Sequence, residues 1–159
     1  MPSYTDYEHK LFSMVDEHGW QCTYVFDSEG KQPDFAYSVG FTKSLNAPEF
    51  IVFGLPKNIM NHIIWEVFRQ VKNGATPVDG MRWHGLLESF DCIIRKARHK
   101  DLYTEFTISA NWFWRETGNT GNPEVYQIVW PGAQQGLFPW DDGCAQDVID
   151  SQPHLWLLE

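Results

Sequence analysis

The sequence predicts an α+β fold: a single domain in which about three helices pack on one face of a mixed, mostly antiparallel sheet. Two neighbouring segments, residues 35–41 and 48–54, are rich in aromatic and β-branched side chains and carry glycines near their ends, as core strands do. Apolar side chains then recur at helical spacing between residues 59 and 71. The predicted order is helix, three strands, helix, one or two strands, helix, strand, and 159 residues suffice to bury a core.

The first third of the chain reads as a helix followed by three strands. Thr5 and Glu8 have the spacing of a capping box, and Gly19 suits the left-handed residue that ends a helix. A strand is expected over residues 20–26, and a polar loop leads from it to the strand pair.

The middle of the chain predicts a second helix that begins near Pro56 and ends at Gly74. Between residues 81 and 97, one strand is expected through four apolar side chains, preceded by a short partner at 82–84; those side chains are Leu87, Phe90, Cys92 and Ile94.

The last third predicts a helix, a loop, a strand and a tail. Asp101 is expected to cap a third helix that carries Tyr103, Phe106, Ala110 and Phe113 along one side. Residues 118–123 read as a loop and 125–130 as the last strand. Beyond Asp141 the tail is acidic, and it ends in the apolar residues 155–158, which must either pack against other apolar surface or remain an exposed apolar patch prone to association.

Composition limits the partners. The net charge of −9 disfavours binding to nucleic acid or to an anionic membrane, and it suits a basic protein partner, a cationic ligand or simple solubility. Eight tryptophans exceed what a core of this size needs, so some rings are expected in a cleft or at an interface. The three cysteines are scattered and no signal peptide is visible, which indicates a cytoplasmic protein. The acidic surroundings of Cys144 should raise the pKa of its thiol.

Several segments share their order and spacing with a known family: Gly19-Trp20, residues 35–40, residues 48–55, Gly74, residues 127–131 and residues 136–140. Together they resemble the bacterial domain-of-unknown-function family 4262 over about residues 12–142, which leaves 143–159 as a tail. The resemblance implies a small, soluble, bacterial or phage-borne α+β domain with no established activity.

The chain departs from the family pattern at two points. The family usually has a histidine before Pro48-Glu49, where this chain has Asn46-Ala47, and an aspartate after Trp130-Pro131, where it has Gly132. A looser likeness of the two core strands to suppressor-of-fused-like immunity proteins, which neutralise toxins by binding them, is an analogy.

Two groups of side chains are the candidate site for a ligand or partner. Tyr37 and Ser38 lie on the first core strand, and Trp130, Phe138 and Trp140 belong to a proline-containing hairpin. The hairpin either plugs one end of the core or presents its rings as a ligand wall, and we expect a pocket between it and the first group.

Glu49 and His62 are the candidate catalytic residues, as acid–base groups of that pocket. Glu49 alternatively accepts hydrogen bonds from nearby backbone amides. His62 and Glu66 share a helix face but lack the further ligand that a metal site needs, so no metal and no cofactor are predicted. The basic run 95–100 either holds a phosphate at the start of the third helix or is a solvated strand end.

No complete catalytic motif is present. The sequence therefore favours a binding module of unknown ligand, such as an immunity or counter-defence protein that occludes a protein partner with a basic surface. The alternative is a small enzyme or nucleotide-handling domain that binds a small molecule. A homodimer formed through the apolar tail is a third hypothesis.

Overall fold

A computed structural model describes residues 3–158. Its helices are α1 (Asp6–His18), α2 (Phe41–Ser44), α3 (Lys57–Lys72), α4 (Ile108–Glu116) and α5 (Gln146–Asp150), with a π-helical segment at Leu102–Phe106. Its strands are β1 (Gln21–Val25), β2 (Phe35–Val39), β3 (Glu49–Phe53), β4 (Arg82–Trp83), β5 (Cys92–Lys96) and β6 (Val125–Val129).

The strands form one six-stranded sheet in the order β1-β2-β3-β6-β5-β4. Every neighbouring pair is antiparallel except β3 and β6, which run parallel with Glu49 opposite Val125. The predicted α+β class and mostly antiparallel sheet are therefore confirmed.

Helices cover both faces of this sheet, so the expectation that they pack on one face is wrong. On one face α3 contributes Met60, Ile63, Ile64 and Val67 to a first core. On the other, α1, α4 and the tail form a second core with Leu11, Val15, Phe113 and Leu155. All five residues of β2, of β3 and of β6 are buried, as strands covered on both faces must be.

The first two predicted helices are confirmed, with their boundaries. Thr5 Oγ1 accepts the Glu8 amide at 3.1 Å while Glu8 accepts the Thr5 amide at 2.8 Å, which completes the capping box. Gly19 has φ +89° and ends α1. Helix α3 follows Pro56 as expected.

The third predicted helix is interrupted. Asp101 makes no side-chain cap, and the chain forms the π-helical segment before α4 begins. The break lies at Thr107, which leaves the helical conformation (φ −92°, ψ 50°) and whose amide (2.8 Å) and hydroxyl (3.0 Å) both donate to the carbonyl of Leu102. Leu87 and Phe90 lie outside β5, which starts at Cys92; the short partner strand exists as β4.

The apolar tail packs on its own domain. Leu155 is buried in the second core, and its carbonyl accepts the amides of Arg98 (2.7 Å) and His99 (2.9 Å). Leu157 and Leu158 stay exposed. The tail also contains α5, which the acidic composition of this segment did not predict.

Candidate functional site

Glu49 is a buried carboxylate that is enclosed by hydrogen-bond donors, with 1 % of its surface exposed. Its Oε1 accepts the Ser38 hydroxyl at 2.7 Å and the Phe41 amide at 3.1 Å. Its Oε2 accepts the Gly40 amide at 2.9 Å and the Thr42 hydroxyl at 3.5 Å. The carboxylate therefore closes the turn between β2 and α2.

This arrangement exists because the pairing of β2 with β3 stops early. The ladder ends at Tyr37 opposite Ile51, and Ser38 Oγ then accepts the Phe50 amide at 2.9 Å in place of a backbone carbonyl. Gly40 adopts φ +110°, which lets the chain turn its amide toward Glu49. These contacts agree with the second interpretation of Glu49, in which its carboxylate accepts hydrogen bonds from nearby backbone amides.

Burial raises the pKa of Glu49 to about 7, and the hydrogen bonds from Ser38, Gly40 and Phe41 oppose that rise by stabilising the charged form. The carboxyl group consequently changes its charge near neutral pH. No such shift could be read from the sequence, where Glu49 opens an ordinary strand.

The other members of the first predicted group are enclosed as well. Ser38 is fully buried, and Tyr37 is 2 % exposed with its hydroxyl accepting the Ser109 amide at 3.1 Å. Neither side chain is therefore accessible to a ligand or to another protein in this conformation.

The structure separates the predicted hairpin from this group. The indole nitrogen of Trp130 donates to the carbonyl of Phe53 at 2.7 Å, at the end of β3 opposite to Glu49. Four steps along a strand span about 13 Å. The prediction of a single pocket between the two groups is therefore wrong, although the binding role of each group stays a prediction.

The hairpin instead builds a layer of rings and guanidinium groups beside the edge of the sheet. Trp140 stacks on Phe138 with ring centroids 5.4 Å apart and planes inclined by 4°, and the edge of Trp156 meets it at 5.3 Å. Arg82 lies over Phe138 at 5.5 Å, and Arg95 lies over Trp140 at 5.7 Å. We call these five residues the Trp140 surface.

The exposure of the two stacked rings bears on both alternatives considered for the hairpin. Phe138 is 3 % exposed and packs as a plug would, whereas Trp140 is 41 % exposed. Sequence reasoning did not connect Trp156, Arg82 and Arg95 with the hairpin, because they come from the tail and from two other strands, which only the fold brings together.

The remaining candidates are dispersed. His62 lies on the exposed side of α3 with its ring centroid 6.0 Å from that of Trp65, and Glu66 binds Arg69 at 2.8 Å. Within residues 3–158, no cluster of three or more histidine, cysteine, aspartate or glutamate side chains could hold a metal ion.

Ion pairs engage much of the basic run. Arg95 contacts Asp79 at 3.2 Å, Arg98 contacts the same carboxylate at 3.8 Å, and Lys96 lies 3.6 Å from Glu124. The run precedes the π-helical segment rather than a regular helix, so the phosphate site expected at a helix start does not have the predicted geometry.

Surface cavities occupy other parts of the molecule. One of about 330 Å³, which we call the aromatic cavity, is lined by Val25, Phe26, Asp27, Gln32, Pro33, Phe35, Phe53, Glu105, Phe106 and Pro153. A second of about 370 Å³ lies between the hairpin and the start of α5 and includes Gly132 and Cys144. Burial, followed by the charges of Asp141 and Asp147, raises the pKa of the Cys144 thiol, in the predicted direction.

The family comparison covers most of the chain. The model of a domain of unknown function, DUF4262, matches residues 14–145, which include every strand of the sheet. The chain belongs to the DUF4262 family. No curated protein and no solved structure matches it.

The two departures from the expected DUF4262 pattern have distinct surroundings. A Cβ atom at Gly132 would lie 3.1 Å from Val148 Cγ2, so an aspartate here would press on the side chain of α5. Asn46 adopts φ +51° and lines a shallow cavity of about 260 Å³ with Thr42, Pro48 and Trp114.

Among the described residues, no helix has both the length and the apolar character needed to cross a bilayer.

Proposed function

We propose that the domain is a binding module that occludes a protein partner through the Trp140 surface. The observation that carries this proposal is an exposed indole in a fixed position: Trp140 is 41 % exposed, yet it stacks on Phe138 and meets the edge of Trp156. A tryptophan held in this way loses little conformational freedom when a partner covers it, and such residues supply much of the energy of protein interfaces.

The charge near Trp140 supports a partner with a basic surface. Asp141 and Asp142 follow Trp140 directly in the chain, which carries a net charge of −9. Carboxylates at the rim of an interface accelerate the approach of a positively charged partner. The charge of Arg95 in the Trp140 surface is matched within the domain by Asp79, which lies 3.2 Å away.

An immunity or counter-defence protein of a bacterial cytoplasm acts in this way, and we propose that role as the setting of the interaction. The unpaired state of Cys22, Cys92 and Cys144 suits a reducing compartment.

The test compares two exposed tryptophans. Trp140→Ala removes the proposed anchor, and Trp65→Ala removes an indole of similar exposure (46 %) on α3. With a partner captured from the native host in stoichiometric amount, we expect Trp140→Ala to weaken its affinity at least about 30-fold, as loss of a hot-spot residue does. Trp65→Ala should change the affinity less than about threefold.

Equal retention of the partner by wild type and Trp140→Ala would overturn the proposal, as would the absence of any stoichiometric partner.

The alternative function, a small enzyme with Glu49 or His62 as acid–base group, has one supporting observation, the pKa of about 7 at Glu49. Its carboxylate is nevertheless enclosed by four donors, and His62 lies on a different element. A thermal-shift screen with nucleotides tests this alternative, since a bound ligand raises the midpoint and Glu49→Ala should then abolish the rise.

A further inference from the structure

The aromatic cavity has a rigid floor of three phenylalanines. The ring centroids of Phe35 and Phe53 are 5.1 Å apart, and Phe106 meets Phe53 at 5.6 Å and Phe35 at 5.7 Å. Phe35 and Phe53 belong to the second core, with 8 % and 1 % exposure, so the floor is fixed by the packing of the sheet.

Part of the cavity wall is apolar, and one apolar side chain in it is largely exposed to solvent. Phe26 follows β1 and is 64 % exposed, while Pro33 and Pro153 contribute rings with little freedom to move. An isolated phenylalanine this exposed is unremarkable, but here it faces a concave site whose size falls in the range of small-molecule pockets.

The charged groups of the cavity have one sign. Asp27 and Glu105 are the two charged residues among those that line it, and both are carboxylates. Asp27 is fixed in place, because its carboxylate accepts the amides of Glu29 (3.0 Å), Lys31 (2.9 Å) and Gln32 (3.0 Å). These hydrogen bonds, with that of Glu29 the largest contribution, lower the pKa of Asp27.

We propose that the aromatic cavity binds an organic cation, specifically a quaternary ammonium group. Aromatic rings attract such a cation through their electron-rich faces and accept its alkyl groups as apolar surface. The two carboxylates attract its charge through space and require no hydrogen-bond donor, which a quaternary ammonium lacks. A phosphate or a carboxylate ligand would meet repulsion at the same place.

The proposal is independent of the Trp140 surface, because the two sites share no residue. The failure of one therefore leaves the other standing.

The experiment compares choline with 3,3-dimethyl-1-butanol, its neutral carbon isostere, in titrations of the full chain followed by amide NMR. We expect saturable shifts with choline at residues that line the cavity, and at least tenfold weaker binding of the isostere, since only the charge differs. Phe26→Ala and Glu105→Gln should each weaken choline binding at least threefold. Neither substitution is in the core, so both variants should fold.

Glu88→Gln is the matched control, since Glu88 is an exposed carboxylate outside the cavity, and it should leave choline binding unchanged. Equal binding of choline and its isostere, no saturable binding up to about 10 mM, or insensitivity to both cavity variants would overturn the proposal.

A peptide that carries trimethyllysine distinguishes the two sources of the same group. Tighter binding of this peptide than of choline supports a protein side chain as the natural ligand, and weaker binding supports a free small molecule.

Discussion

At the scale of single residues, Glu49 is the group whose chemistry is most changed by the fold. Loss of water favours its protonated form, while two backbone amides and two hydroxyls favour the carboxylate. The result is a pKa of about 7, above the ordinary value of 4.5. Such a group makes the free energy of unfolding depend on pH.

The sign follows from proton binding. Between about pH 4.5 and pH 7 the folded protein holds a proton on Glu49 that the unfolded chain has released, so stability falls as pH rises through this window. We expect Glu49 to contribute a loss of about 2 to 3 kcal/mol in the free energy of unfolding between pH 5 and pH 8. Urea unfolding at both pH values measures it.

The control is Glu49→Gln, which cannot titrate. This variant should be less stable than wild type, because its amide nitrogen must face a donor that the carboxylate accepted, but its pH dependence should lack the Glu49 contribution. If wild type and variant lose the same free energy between the two pH values, the raised pKa is contradicted.

At the scale of elements, the side-chain amides of two buried glutamines attach the tail to the sheet, because each one both donates and accepts a hydrogen bond with backbone groups. Gln152 accepts the Trp130 amide at 3.0 Å and donates to the Trp130 carbonyl at 2.9 Å. Gln127 donates to the carbonyl of Pro153 at 2.7 Å and accepts the Leu155 amide at 3.0 Å. Both side chains are fully buried, so each pair replaces a piece of strand pairing.

Gln152→Ala should therefore leave the amide and the carbonyl of Trp130 without partners in a dry environment. We expect it to lower the free energy of unfolding by about 2 to 4 kcal/mol, the penalty for two unsatisfied groups. Hydrogen exchange should also accelerate at the amides of Arg98 and His99, which donate to Leu155 in the tail.

Gln146→Ala is the matched control for this measurement. Gln146 is an exposed residue of α5 that bonds Asp150 at 2.8 Å, and its loss should cost less than about 0.5 kcal/mol. The backbone-like role of Gln152 is contradicted if the two alanine variants are equally stable.

The sequence predicted the elements that depend on local patterns better than those that depend on contacts between distant parts of the chain. The capping box at Thr5 and the apolar repeat of α3 are local patterns, and both predicted their helices correctly. The apolar spacing from Tyr103 to Phe113 suits one continuous helix, but the helix is interrupted at Thr107, whose non-helical backbone and bonds to Leu102 the repeat does not encode. Whether helices cover one face or both depends on connections across the sheet, which local periodicity cannot specify.

At the scale of the whole molecule, the parallel pair β3 and β6 sets the distance between the candidate sites. Both strands run from the end marked by Glu49 to the end marked by Trp130. The sequence predicted that Glu49 lies at the start of one strand and Trp130 at the end of another. It could not predict that these positions lie at opposite ends, because the parallel pairing depends on a crossover through α3, β4, β5 and α4.

The fold also changes the expectation for a homodimer through the tail. Leu155 is buried, and the large apolar side chains that the described part of the tail leaves exposed are Leu157 (48 %) and Leu158 (69 %). A stable interface covers about 800 Å² on each partner, which two leucines cannot supply. We therefore expect the tail to carry no dimer, and wild type and the double variant Leu157→Ser/Leu158→Ser to sediment alike across micromolar concentrations. Point substitutions are required, since truncation after Asp150 would remove Gln152 and Leu155 and unfold part of the second core. Self-association of wild type that the double variant abolishes would restore the tail as an interface between copies.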